Sequence, residues 1–180
     1  MKLSIQSFIL ICFFLQGTAL AERPEYEDND VYAKVIIRSA DQLAAFYHGR
    51  EFPQRAIDEI LKVCLVTPII KNKRFDRMWI DLDAWEFSVA DEKVERLNRS
   101  YWKVQWQKIM LPLRHQATFG WTLMPEKRDL RVDEGVGGSV IIPWQDKPVD
   151  LLIQLPVEQA KEQSGKVKKI MFKGLLCSGN

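Results

Sequence analysis

Histidine is scarce in this 180-residue chain: His48 and His115 are the only two. Any imidazole metal site or Ser-His-Asp triad must use one of them, and neither has a second histidine or a cysteine at short spacing. Cysteine is nearly as scarce, with Cys12, Cys64 and Cys177 and no CxxC pair, which excludes a thioredoxin-like motif and a zinc ribbon. No sign of charge dominates: 26 basic against 24 acidic residues give a formal +2. That balance argues against nucleic acid as a partner, or anionic lipid as the main one. Internal repeats and low-complexity tracts are absent. Glycine clusters once, at Gly135, Gly137 and Gly138. That cluster lacks the third glycine of GxGxxG (Val140), a following GK[ST], and the second glycine of GxSxG (Ile141), so neither a phosphate loop nor a nucleophile elbow is present.

One long apolar run exists, Ile5 to Leu15, after Lys2 and before Ala19 and Ala21. It is short of the ~20 residues a spanning helix needs, and small residues at 19 and 21 suit a signal peptidase. Residues 1–21 therefore read as a signal peptide, residues 22–30 as an acidic N-terminal arm, flexible or loosely docked, and 31–180 as a single domain. The exported product is expected in a periplasm or secreted, with no transmembrane segment after cleavage. Cys12 leaves with the signal peptide. In an oxidising compartment Cys64 and Cys177 most simply form one structural disulfide, rather than a redox pair or a thiolate metal site.

Periodicity places the elements. Val31 to Arg38 is rich in β-branched residues and reads as a strand. Ser39 caps a helix with Leu43, Phe46 and Tyr47 on one face, ended by Gly49. Pro53 opens a second, with Ile57, Ile60 and Leu61 at helical spacing, so helices occupy 40–62. Cys64 to Lys71 reads as a strand with Pro68 marking an edge or bulge, and Arg77 to Trp85 as its hairpin partner. A helix over 100–109 carries Trp102 and Trp106 at i and i+4. Ala117 to Met124 reads as extended, followed by strands at 139–144, 149–155 and 167–177. The resulting fold class is mainly β within α+β: an antiparallel β-sandwich with two or three helical decorations.

The stretch from Cys64 to Phe87 (CLVTPIIKNKRFDRMWIDLDAWEF), followed by Asp133 to Pro143 (DEGVGGSVIIP) and the strand at 149–155, resembles exported bacterial immunoglobulin-like domains. That resemblance implies an immunoglobulin-like sandwich. It implies no catalytic residue, because such domains share none.

Strand alternation puts Trp79, Asp81, Asp83 and Trp85 on one face. With Trp102 and Trp106, and with Trp121 as a further element, they form a candidate binding surface. The alternative is that Trp79 and Trp85 pack beneath the 100–109 helix. His48, His115, Met110 and Met124 are candidate ligands for copper. Asp81, Asp83 and Glu86 are candidate carboxylates for a hydrolase. With no catalytic motif and no cofactor implied, the leading expectation is a non-catalytic binding or interaction module. Its partner would be another exported protein or an envelope component.

Overall fold

The computed structural model describes residues 24–157 and 166–177; residues 1–21, read above as a signal peptide, lie outside them. Val63–Asn72 (β3) is the strand around which the rest is arranged. It pairs antiparallel with Val31–Ile37 (β2) on one side. Beyond β2 lies Glu25–Glu27 (β1), so the acidic arm docks as an edge strand rather than hanging free. On its other side β3 pairs with two short strands end to end, Gly135–Gly137 (β8) and Val140–Pro143 (β9).

A second sheet has the order β11-β10-β5-β6, built from Glu86–Val89 (β5), Glu92–Val94 (β6), Val149–Pro156 (β10) and Val167–Leu175 (β11). Met78–Asp81 (β4) and Lys127–Leu130 (β7) form a separate two-stranded ribbon. All pairs between these named strands are antiparallel. Strand occupies 42% and helix 27% of the described residues, so the chain is mainly β in the α+β class.

Two cores follow from the pleat of β3. Its inward residues Cys64, Val66 and Ile70 join Val31, Ala33 and Val35 of β2 and meet Leu151, Ile153, Leu155, Ile170 and Phe172 of the second sheet. Its outward residues Val63 and Leu65 meet a layer of helices: Ala40–His48 (α1), Gln54–Leu61 (α2), Arg99–Lys108 (α3) and Leu113–Thr122 (α4). The helices thus bury a core of their own on the far side of the sheet. Their starts are chemically marked. Ser39 accepts from the Gln42 N–H while the Gln42 side chain accepts from the Ser39 N–H, a reciprocal cap. The Asn98 side chain accepts from the Tyr101 N–H.

Three elements differ from the sequence reading. β3 and β4 are neighbours in sequence but belong to different sheets; β4 pairs with β7 and no hairpin forms. The strand read over 77–85 stops at Asp81, whose carboxylate accepts from the Asp83 N–H and turns Leu82–Ala84 into a 3-10 turn. That turn breaks the period of two, so Trp85 swings into the inter-sheet core and its indole N–H donates to the Gln154 carbonyl, 3.2 Å away. The segment read as extended over 117–124 is mostly α4. Pro112 precedes its first turn, and His115 and Phe119, four residues apart, are its buried positions.

Cys64 and Cys177 form the disulfide, with Cα atoms 5.4 Å apart and 113 positions between them in sequence. The bond ties β3 to the chain just after β11 and so crosslinks the two sheets. Closing a loop of that length removes about 4–5 kcal/mol of unfolded-state entropy in the chain-entropy picture. A second link joins the two edge strands. Asp28, in the β1–β2 turn, accepts from the Tyr26 hydroxyl (2.7 Å), the Asp30 and Val31 N–H groups (2.9 and 3.0 Å) and the Lys168 ammonium on β11. Partial burial alone would raise this carboxyl's pKa; the hydrogen bonds from Lys168, Tyr26 and the two backbone N–H groups outweigh it and hold it far below the usual carboxylate range.

Two expected outcomes follow for stability. Cys177→Ala should lower the unfolding free energy by about 2–5 kcal/mol relative to the oxidised protein in urea titrations; an unchanged midpoint would show the crosslink to be idle. A carboxyl with a depressed folded pKa stabilises above its unfolded value, near 3.8, and that contribution is lost as pH falls below it. Melting temperatures of Asp28→Asn should therefore lie below wild type at pH 7 and converge with it in acid.

Candidate functional site

The helical layer does not cover β3 completely. Val63 and Leu65 lie beneath it, but around Thr67 and Ile69 the outer face opens into a cavity of about 300 Å³ between α1, the end of α4 and the β8–β9 junction. The opening originates at Pro68. Its carbonyl accepts from the Gly138 N–H (3.3 Å), so its own nitrogen faces the same neighbour, and that nitrogen carries no hydrogen to donate. The ladder on this side is interrupted opposite Pro68. Ser139 turns instead to the end of α4: its N–H donates to the Thr122 carbonyl (2.8 Å) and its carbonyl accepts from the Met124 N–H (3.0 Å). Gly138 permits that approach. A Cβ there would stand 2.4 Å from the Met124 nitrogen.

Alternation along β2 and β3 brings Arg38 and Thr67 to this outer face. The Arg38 guanidinium donates to the Thr67 hydroxyl (3.1 Å), and that hydroxyl bonds the Ser139 hydroxyl (3.0 Å). Across the cavity, the Thr122 hydroxyl donates to the Phe119 carbonyl (2.7 Å), so in its 3.3 Å contact with Tyr47 the phenol is the donor. Burial pushes the Tyr47 hydroxyl pKa up, against the opposing pull of the Arg38 and Arg50 charges. Among the described residues no carboxylate lies within ion-pair distance of Arg38, and none lines the cavity. Leu43, Phe46 and Ile69 supply apolar wall. Trp121, 85% exposed, stands at the rim with no aromatic ring of the described residues stacked on it.

The residues singled out from sequence are dispersed. Trp102 and Trp106 are buried against Phe119, with ring centroids 4.8 and 4.9 Å away, and cannot belong to an exposed face. Trp85 is buried between the sheets. Of the tryptophans singled out, Trp79 and Trp121 are exposed, and α3 packs on α4. Asp81 pairs with Lys127 (3.2 Å), Asp83 with Arg96 (3.0 Å) and Lys127 (3.7 Å), and Glu86 accepts from Gln154 (3.0 Å). These carboxylates are held in surface ion pairs and hydrogen bonds, away from the cavity. Of the copper candidates, Met124 is sealed in the inter-sheet core, His115 is buried against Phe52 (ring centroids 4.8 Å), and Met110 and His48 are exposed. Their environments do not make one site. Among the described residues no group of three His, Cys, Asp or Glu side chains is placed to hold a metal, and no helix is long and apolar enough to cross a membrane.

The cavity residues Arg38, Tyr47, Thr67 and Ser139 were missed because they are spread over a hundred positions in no motif. The signals present were local: a lone threonine inside an apolar strand, and a serine directly after paired glycines.

No protein-family model matches the chain, and no curated protein does. Among solved structures it is similar to a "putative lipoprotein (ycdA)" from Bacillus subtilis, with 12% identity and a TM-score of 0.43. The match covers 83% of this chain and 38% of that one, so the chain spans well under half of that protein's length. At this distance no property passes from one protein to the other.

Gly138→Ala should cost about 1–3 kcal/mol, because the added methyl meets backbone rather than a movable side chain. Denaturant unfolding checks this, and a loss no larger than that of an alanine at Gly49, where the added methyl would make only ordinary contacts, would contradict the close-approach account.

Proposed function

We propose that this protein is an exported, non-catalytic binding module that holds a small ligand in the cavity over Thr67. The observation that carries this reading is the combination of a preformed recess, mostly apolar walls and a few convergent polar groups, which is how small-molecule sites are built. Among the described residues no histidine, carboxylate or cysteine lines the cavity, and burial raises the Tyr47 pKa, which favours holding over transforming. Export is supported by the signal-like residues 1–21 and by the disulfide between the sheets. Two sheets packed face to face over one core also support the immunoglobulin-like reading, here with a helical layer added on the outer face of one sheet. The ligand accordingly belongs to the envelope or to the surrounding medium.

Native mass spectrometry of the protein isolated from its own source should detect a small organic adduct that is released on denaturation. Thr67→Met, which fills the cavity floor, should reduce the adduct in protein whose circular dichroism shows that it remains folded. A bare protein, or an adduct indifferent to Thr67→Met, would contradict the reading.

A further inference from the structure

Resting on that reading, the geometry points to a small amphipathic monocarboxylate as the class of ligand. We infer that its carboxylate is held by Arg38 with the Thr67 and Ser139 hydroxyls, and its apolar body by Leu43, Phe46 and Trp121.

The charge argument comes first. A guanidinium presents five N–H donors in a planar fork. Arg38 spends one of them on Thr67, and no carboxylate of the described residues neutralises it. A half-buried cation kept beside apolar wall without a counter-ion is a standing desolvation cost, offset when an anion arrives in bidentate geometry. The hydroxyl pair beside it extends the same polar patch. Each hydroxyl has two acceptor lone pairs and one rotatable hydrogen, so the Thr67–Ser139 pair can turn a donor toward a second carboxylate oxygen without breaking the chain.

The number of cations then selects among anions. Among the described residues Arg38 is the sole Lys or Arg lining the cavity; Arg50 stacks on the Phe46 ring and donates to the Phe46 carbonyl without joining the lining. One fixed positive charge suits a monoanion. A phosphate monoester, near −2 at neutral pH, would leave charge unmet in a partly apolar recess. Size sets the rest. About 300 Å³ lies at the lower end of ligand pockets, ~300–1,000 Å³, enough for one ring or a short chain. The exposed Trp121 indole at the rim supplies a flat face for the apolar body, and burying it gives that side chain the partner it lacks in the free protein.

The test titrates the oxidised, exported protein with 4-phenylbutyrate and octanoate, each against its neutral primary amide, by calorimetry and by amide and indole chemical shifts. The acids should bind about tenfold or more tightly than their amides, as loss of a charge-assisted bond requires. Shifts should centre on Gly138, Ser139 and the Trp121 indole. Arg38→Gln should erase the preference of acid over amide, whereas Trp121→Ala should weaken both by a similar factor. Acid and amide binding equally to the wild type would overturn the carboxylate assignment and leave the cavity as a site. Absence of binding by either probe at millimolar concentration, in a protein that does carry an adduct from its source, would also overturn the assignment alone. Absence of both binding and adduct would overturn this inference together with the functional reading beneath it. The wild-type acid–amide comparison decides the matter even if Arg38→Gln fails to fold.

Discussion

Everything in this fold depends on one strand being buried on both faces. β3 gives Cys64, Val66 and Ile70 to the inter-sheet core and Val63 and Leu65 to the helical core. A strand in that position needs apolar residues on both sides of the pleat, and the near-continuous run from Val63 to Ile70 provides them. Two residues break the run, Thr67 and Pro68. Thr67 puts a hydroxyl on the outer face where the helices would otherwise need an apolar footing. Pro68 withholds the donor that would keep the neighbouring strand in register. The gap between β8 and β9, the turn of Ser139 toward α4 and the uncovered patch of sheet are consequences of those two positions. The strand that organises the core therefore also sets the place of the cavity.

The edges of the two sheets are secured by different chemistry. Across the middle, the Cys64–Cys177 bond acts on the unfolded ensemble by closing a long loop. At the open side, where β1 and β11 have no further strand partner, Asp28 and Lys168 hold the two sheets together through an ion pair embedded in four hydrogen bonds to one carboxylate. This network gives the short acidic strand β1 a reason to dock despite its three residues and low β-propensity.

The legible parts of the sequence were those governed by local rules. The helices at α1 and α2 carry a reciprocal cap, a terminal glycine and a proline just ahead of the first turn, and α3 carries tryptophans four residues apart over an asparagine cap. The disulfide was legible because Cys64 and Cys177 are the two cysteines beyond the segment read as a signal peptide. What escaped was set by distant partners. α4 contains glycine and threonines that suit an extended chain, and its helical state rests on Phe119 packing against both Trp102 and Trp106. Trp85 escaped because one Asp81 side chain ends the strand and shifts the phase by a turn. The tryptophan face dissolved for the same reason: alternation was extended past the point where the backbone keeps it. The cavity escaped because Arg38, Tyr47, Thr67 and Ser139 meet only after β2, α1, β3 and the β8–β9 junction have packed.

The central claim is that β3 carries both cores and the cavity between helix and sheet. Native-state hydrogen exchange followed residue by residue tests it most directly. Amides of Val66 and Ile70, fully buried residues with strand neighbours on both sides, should exchange only through global unfolding, with the slowest rates in the protein. Glu92–Val94 in β6, an edge strand, should exchange far faster. β3 amides opening as readily as those of β6 would contradict the account.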